Sequence, residues 1–533
     1  QLDQFALTVL TAIAVLTDDT GGTGPIGLGE TTPRKSPVTV DRITGFLGGP
    51  ATASEIALQL DTLVTIGLVR GTPDARLPSS TREALGPYPG GLGPATGLDR
   101  GRVDAALREL DESGRGILER LAPGPPLGQV EPQSPTAALV DGLVERHLLT
   151  RLDRYTVRIP REVALALRGS HPLGSVDSVA PRAAGPDRGA ATVDGTAAGQ
   201  SLAVHAALTA LLAAFGTGRI ASLKSGGVGI VPLRRLAKDL GTTVELTAVY
   251  VEILCAAGLI TPVTTRSGDA ATWIPTQAAD SFLAGGQAVG WAWAATTWMQ
   301  MRRDPSRAGT KDPAGKVNNV LAPELSWRAA PAERHRVLDE IAALPPGTSV
   351  NRDLLIHRLV HRAPLRSPAL LRMVVDAVLA EATALGVVAF DAISAAGREV
   401  LYDDPESAAA ALEQALPAPV DRVVIQADLT VVAPGRLEPA LAQSLSMAAE
   451  VESAGGATVY RVTPDSLRRA FDVGATREEL HRLFEDHSAT AVPQALGYLI
   501  DDVARRHGVL RAGRAAAYIR SEDPALVTAA VGA

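Results

Sequence analysis

Five arginines between residues 352 and 372 are the side chains whose type and spacing most suggest a binding chemistry. They are Arg352, Arg358, Arg362, Arg366 and Arg372. Guanidinium groups bind phosphate well. The surrounding segment, residues 297–372, has thirteen basic and seven acidic residues in a chain whose net charge is −7. One basic zone in an acidic protein predicts local contact with the phosphates of DNA. A solvated helix face is the alternative interpretation.

Motifs for catalysis are missing. An ATPase needs a glycine-rich loop that ends in Gly-Lys-Ser/Thr. The nearest segments, GPIGLGET at 24–31 and SGGVGI at 225–230, lack that ending. The sequence also contains neither HExxH of zinc proteases nor GxSxG of serine hydrolases. We therefore predict a protein that is not an enzyme, with no catalytic residues and no cofactor.

Other reactive side chains have simpler interpretations. His357 and His361 are spaced to bind a metal from one helix face, but no third ligand lies nearby in the sequence, so no metal site is expected. Cys255 lies in an apolar helical segment, as a small core residue would. The acidic pairs at 403–404 and 501–502 fall in turns or on exposed faces, where charge is solvated.

Composition indicates a globular protein of several domains. The chain has 533 residues, 46% hydrophobic and 20% charged. A single cysteine fits a reducing compartment. The longest apolar runs, at 5–16, 206–215 and 288–298, are shorter than the roughly 20 residues that span a membrane. We expect a cytoplasmic, nucleoid-associated protein with no membrane partner.

A repeated order of helices, a turn, a further helix and a short hairpin is typical of winged-helix modules. The predicted fold class is mainly α with small β wings, in tandem winged-helix modules, plus a C-terminal α+β domain. The predicted boundaries are winged helices at 1–90, 101–168, 201–283 and 330–415, a flexible Gly/Pro/Ala/Ser-rich linker at 169–200, and the α+β domain at 417–533.

The third helices of these modules differ in charge. The helix at 51–66 contains Glu55 and Asp61, and the helix at 244–257 contains Glu245 and Glu252 and no basic residue. Acidic helices repel phosphate, so we expect these modules to bind proteins or act as spacers. The fourth module, which carries the five arginines, is therefore the one predicted to hold DNA.

The C-terminal segment contains a recognisable sequence pattern. Strands are predicted at 422–426 and 429–432, a helix at 437–453, a strand at 458–462 and three short helices after it. The runs VIQADLTVVAP at 424–434, YRVTPDSL at 460–467 and HSATAVPQ at 487–494 resemble the XPB helicase N-terminal, or helicase-associated, domain. We expect His487, Ser488, Thr490 and Pro493 to shape this domain without binding a ligand.

The likeness covers about the last fifth of the chain well. More loosely, LAPGPPLG at 121–128 and IPREVALALR at 159–168 resemble helicase-associated proteins of high-GC bacteria. The two motor lobes of XPB are absent, so helicase activity is not implied. In TFIIH a partner subunit of similar fold clamps the XPB domain, and the resemblance thus implies pairing with an XPB-like helicase supplied by another chain. An exposed strand at 429–432 or 509–519 could pair edge to edge with it, unless both strands are covered within the domain.

The leading hypothesis is a non-enzymatic DNA-repair accessory protein. It would bind DNA through its winged-helix modules and dock an XPB-like helicase through its C-terminal domain. A winged-helix transcription regulator is the alternative, and a scaffold that binds only proteins is a third possibility.

Overall fold

A computed structural model describes residues 2–18, 37–175, 177–264, 271–453 and 457–507. The chain divides into two compact units. Unit 1 comprises Gln1–Gly189, Ala332–Ala382 and Phe390–Ile393, and unit 2 comprises Ala190–Pro331, Thr383–Ala389 and Ser394–Ala533. Both units are mainly helical, with small separate sheets.

The helices of unit 1 precede and follow an insertion of unit 2. In chain order the helices of the protein are α1 Gln4–Asp18, α2 Val40–Leu47, α3 Ala53–Thr65, α4 Ser79–Ala84, α5 Arg100–Arg108, α6 Glu112–Leu121, α7 Pro135–Glu145, α8 Arg161–Arg168, α9 Ala190–Gly216, α10 Ile230–Leu240, α11 Val244–Ala256, α12 Gln277–Ala284, α13 Gln287–Gln300, α14 Ala330–Ala342, α15 Arg352–Arg362, α16 Pro368–Ala384, α17 Ala395–Leu401, α18 Pro405–Ala415, α19 Pro439–Ala448, α20 Pro464–Asp472, α21 Arg477–His487 and α22 Gln494–Arg506.

The strands are short. They are β1 Leu127–Gln129, β2 Thr150–Arg151, β3 Thr156–Arg158, β4 Ala184–Asp187, β5 Ile260–Val263, β6 Thr272–Pro275, β7 Thr348–Val350, β8 Val388–Ala389, β9 Ala392–Ile393, β10 Val424–Ile425, β11 Thr430–Ala433, β12 Glu450–Ser453 and β13 Thr458–Arg461.

Side-chain caps define where several helices of unit 1 begin. Thr52 and Glu55 form a capping box at the start of α3, and Asp99 accepts a hydrogen bond from a first-turn backbone N–H of α5. Ile56 and Leu60 of α3 face inward at helical spacing. They belong to a buried cluster drawn from residues 5–75. A second cluster uses Val15 and residues 92–164, around the antiparallel sheet β1–β3–β2.

Helix α9 is the central helix of unit 2. Its buried residues include Val204, Leu208 and Phe215, and it packs on α11, α13 and α18. It begins at Ala190, so the predicted flexible linker at 169–200 is wrong for its last eleven residues. That stretch is rich in alanine and no proline occurs between Pro186 and Pro232. Nothing there interrupts the apolar helix that follows.

The predicted fourth module, 330–415, is divided between the units. Residues 332–382 and 390–393 belong to unit 1, and the remainder belongs to unit 2. The last seven residues of its predicted wing, at 387–401, are helical, because α17 occupies Ala395–Leu401. Helices α17 and α18 bury Val400, Leu401 and Leu412 and pack on α9 and α13. Their apolar faces therefore place them in the core of unit 2.

The end of unit 2 is an α+β arrangement. An antiparallel sheet in the order β10–β11–β13–β12 carries helices α19–α22. Val431, Leu445, Leu467, Phe484 and Leu496 lie in its buried cluster. The helix predicted at 437–453 is shorter than expected, because α19 ends at Ala448 and β12 follows.

One described helix, α9, is long and apolar enough to cross a membrane, with a mean hydropathy of 1.5 over its most apolar window. Core helices of soluble proteins meet the same criteria. The packing of α9 against α11, α13 and α18 within unit 2 accounts for its apolar character.

Candidate nucleic-acid interface

The five predicted phosphate-binding arginines lie on or near α15 and α16 of unit 1. Asn351 caps α15, whose Leu355, Ile356 and Leu359 are buried. This pattern leaves the arginines at the helix margins and on its outer face. Each of the five forms an ion pair with a carboxylate of the same unit.

Two nearly buried glutamates of α14 hold the inner arginines. Glu340 accepts a hydrogen bond from Arg358 Nε and forms an ion pair with Arg362 Nη1 at 2.7 Å. Glu333 accepts two bonds of 2.8 Å from Arg366 and one of 2.6 Å from Arg336. Burial alone would raise the pKa of Glu333, but these hydrogen bonds outweigh burial and lower it. These pairs hold α14 and α15 together.

The outer arginines form more exposed pairs. Arg352 Nη2 donates to Asp391 Oδ1 at 2.7 Å, and Arg372 Nη1 donates to Asp353 Oδ1 at 3.1 Å. The side chains of Arg352, Arg362 and Arg372 remain 47%, 54% and 54% exposed. Much of the positive charge in this region is therefore offset by carboxylates.

The basic zone at 297–372 is divided between the two units. Residues 297–331 belong to unit 2 and residues 332–372 to unit 1. The unit 1 part has seven basic and four acidic residues, and the unit 2 part has six basic and three acidic residues. The net positive charge of this sequence segment is therefore the sum of charges from two separate units.

Of the two histidines spaced to bind a metal, His361 makes a contact within its own unit. His361 is buried, and its Nε2 lies 3.0 Å from the carbonyl oxygen of Asp177. Within the described ranges, no group of three His, Cys, Asp or Glu side chains could hold a metal ion. Cys255 is partly enclosed, and burial raises the pKa of its thiol.

The structure exposes a basic surface that the sequence argument missed. We define the α10 basic surface as Arg219, Lys224, Arg234, Arg235 and Lys238, all of which are exposed. No acidic residue occurs from position 195 to 238, and this acid-free run was the available signal.

Helix α11, the third helix of its predicted module, is mostly buried and does not present a broad exposed face. Residues 247–254 of α11 are all buried. Glu252, which was expected to repel phosphate, is completely buried and ion-paired with Arg303. The exposed basic residues of this region therefore lie on α10, whereas the exposed charge of α11 is the acidic Glu245 in its first turn.

The C-terminal residues singled out by resemblance make contacts within their own domain. His487 Nδ1 lies 2.8 Å from the carbonyl oxygen of Asp421, and Thr490 Oγ1 donates to the carbonyl of Ile425 at 3.3 Å. Ser488 donates to the carbonyl of Thr490 at 2.7 Å, and Pro493 immediately precedes α22. The HSAT segment thus ties α21 to the start of the sheet.

The edges of this sheet differ from the expectation. Strand β11, at Thr430–Ala433, lies between β10 and β13 and is covered within the domain. The strand predicted at 509–519 lies outside the described residues. Strand β10 continues into a bridge between Val423 and Ser488. Among the described strands of this sheet, β12 is therefore the edge with no further strand or bridge beside it.

Comparison with known proteins supports the C-terminal likeness. No curated protein matches the chain. The family model described as helicase conserved C-terminal domain matches residues 423–533, and the described part of that match is the sheet and the helices α19–α22. The protein thus carries a helicase-related domain.

Proposed function

We propose that this protein is a non-enzymatic accessory subunit in DNA repair, which binds DNA and docks an XPB-like helicase. The observation that carries the proposal is the helicase-related match at 423–533, together with the sequence's lack of a phosphate-binding loop. The match supports nucleic-acid association, and the partner helicase would supply the motor.

The docking surface we propose is the β12 edge. The residues of β12 are exposed, and Val451 has a side chain pointing to solvent with 59% exposure. Glu450 pairs with Arg469 and Glu452 pairs with Arg461, so both carboxylates are held beside the strand. An open edge offers backbone N–H and C=O groups to a strand of a partner domain.

For DNA contact, the predicted winged-helix modules and three of the five arginines remain candidates. Arg352, Arg362 and Arg372 are half-exposed, but Glu340, the partner of Arg362, is nearly buried. Ion pairs with both partners at least partly exposed, such as those of Arg352 and Arg372, contribute only about 0–1 kcal/mol. Such a pair can therefore exchange its carboxylate for a phosphate. Arg358 and Arg366 are more enclosed by Glu340 and Glu333, and we assign them to holding α15 and its flank.

The test is affinity capture of the tagged full chain from its native cells, with and without nuclease. We expect an XPB-like helicase to be recovered after nuclease treatment. Val451→Lys should reduce its recovery by about tenfold, because an edge lysine blocks strand pairing. Val473→Lys is the matched control, since Val473 is also an exposed valine but follows α20.

Other outcomes would contradict the proposal. Helicase recovery that depends on DNA would show that docking is not direct. Recovery of RNA polymerase in place of a helicase would favour the transcription regulator. Equal loss in the Val451→Lys and Val473→Lys variants would remove β12 as the docking edge.

A further inference from the structure

Among the described residues, the α10 basic surface differs from the paired arginines in having no ion-pair partner. In the part of the chain that the structure describes, none of its five side chains lies within ion-pair distance of a carboxylate. The nearest acid in sequence is Asp239, which directly follows Lys238 and is also exposed. The positive charge of this surface is therefore free to act on a ligand.

The geometry of α10 directs three of these charges outward. Leu233, Leu236 and Ala237 are buried and fix the orientation of the helix. Arg234, Arg235 and Lys238 occupy the opposite side, since positions i, i+1 and i+4 share a helix face. Because the apolar side of α10 is buried, its basic side faces solvent.

A neighbouring loop adds two more cations. Val228, just before α10, pairs with Val320, and a side chain at Gly309 would lie 3.4 Å from Ile230 Cδ1. The loop at 302–325 therefore packs against the start of α10. Its exposed Arg307 and Lys311 also have no ion pair among the described residues, although Asp304 and Asp312 lie in the same loop.

We propose that the α10 basic surface binds the phosphate backbone of double-stranded nucleic acid. Five cations spread over one helix and the segment before it suit an extended polyanion better than a single phosphate. Residues 216–243 contain no aromatic side chain, so the surface lacks the platform on which unpaired bases stack. This inference rests on the proposed nucleic-acid association and adds the surface that carries it.

The test compares two triple variants of the full chain. Arg234→Gln, Arg235→Gln and Lys238→Gln together remove three charges from α10. The control, Arg100→Gln, Arg102→Gln and Arg108→Gln, removes three exposed charges from α5, where acidic residues are interspersed. Fluorescence anisotropy would measure binding to a DNA duplex, an RNA duplex and a DNA single strand of equal length, between about 50 and 200 mM salt.

The α10 variant should lose at least about tenfold in duplex affinity at low salt, and the slope of log K against log salt should fall by about 2 to 3. The control should change either quantity much less. The two duplexes identify which nucleic acid is preferred. Equal loss in both variants, or tighter binding of the single strand, would overturn the inference alone. Failure of the unmodified protein to bind any nucleic acid at low salt would overturn both this inference and the proposed DNA contact.

Discussion

Glu252 is a carboxylate without solvent contact, and its ionised form depends on its partners. It accepts hydrogen bonds from Arg303 and, at 2.6 Å, from the backbone N–H of Leu321. Burial raises the pKa of Glu252, and the hydrogen bonds and charge of Arg303 oppose that rise. This residue therefore ties helix α11 to the loop that packs against α10.

Removing Arg303 should leave a buried charge uncompensated. We expect Arg303→Met to lower the free energy of unfolding by about 3–5 kcal/mol. Adding Glu252→Gln to that variant should restore most of the loss, because the amide oxygen still accepts from Leu321 and carries no charge. Urea unfolding of the single and double variants measures both effects. A double variant no more stable than Arg303→Met would contradict this account.

Asp501 gives the C-terminal domain a dependence on pH. Hydrogen bonds from Arg477 and His481 lower the pKa of Asp501 to about 2 from its ordinary 3.8. A carboxyl whose pKa is lowered in the folded state stabilises the fold above its unfolded pKa and loses that effect as pH falls. The stabilisation should thus be complete above about pH 4 and decline towards pH 2.

Asp501→Asn should therefore lower the urea midpoint at pH 6, and the gap to the unmodified protein should shrink at pH 3. Asp502→Asn serves as a control, because the ion pairs of Asp502 within the described residues are with Arg505 and Arg506 of its own helix. A gap for Asp501→Asn that is the same at pH 6 and pH 3 would show that the carboxylate does not contribute in this way.

At the scale of elements, the turn before α10 positions the proposed nucleic-acid surface. Gly226 and Gly227 both have positive φ angles, of 86° and 78°. A Cβ at Gly227 would lie 2.3 Å from the carbonyl oxygen of Val320, whereas one at Gly226 would meet only Pro323 Cδ at 3.6 Å. The close approach of the loop at 302–325 thus requires glycine at position 227.

Gly227→Ala and Gly226→Ala form a matched pair. Both should lose about 1–2 kcal/mol for placing alanine in the left-handed region. Gly227→Ala should lose about 1–3 kcal/mol more, because the added methyl group displaces the loop backbone. It should also weaken duplex binding, since the loop carries Arg307 and Lys311. Thermal unfolding measures the first effect, and equal stabilities of the two variants would mean that the loop tolerates the displacement.

At the scale of the whole molecule, we expect no ATP hydrolysis by the full chain alone. The glycine-rich segments at 24–31 and 225–230 lack the Lys-Ser/Thr that holds nucleotide and Mg²⁺. Phosphate release should stay at background with or without duplex DNA. Hydrolysis stimulated by DNA would show that the protein is a motor in its own right, and would contradict the assignment as an accessory subunit.

The mainly helical character and several helix boundaries follow from local sequence signals. Thr463 and Thr476 cap the starts of α20 and α21. Each threonine hydroxyl accepts a hydrogen bond from the backbone N–H three residues later, so the signal is local in the sequence. The pattern at 424–434 and 487–494 also sufficed for the helicase-related likeness, which the match at 423–533 supports. Each of these signals involves residues that are close together along the chain, so it can be recognised without knowing how the chain packs.

By contrast, which charges are available, which strand is an edge and where the linker ends depend on how the chain packs in three dimensions. Arg352 meets Asp391, 39 residues away, and Arg358 meets Glu340, 18 residues away, so counting charges in a window overstated their availability. Conversely, Glu252 of α11 is buried, whereas the five cations of the α10 basic surface are exposed. Ion pairing and burial depend on which distant segments pack together, and the order of residues along the chain does not specify that packing locally.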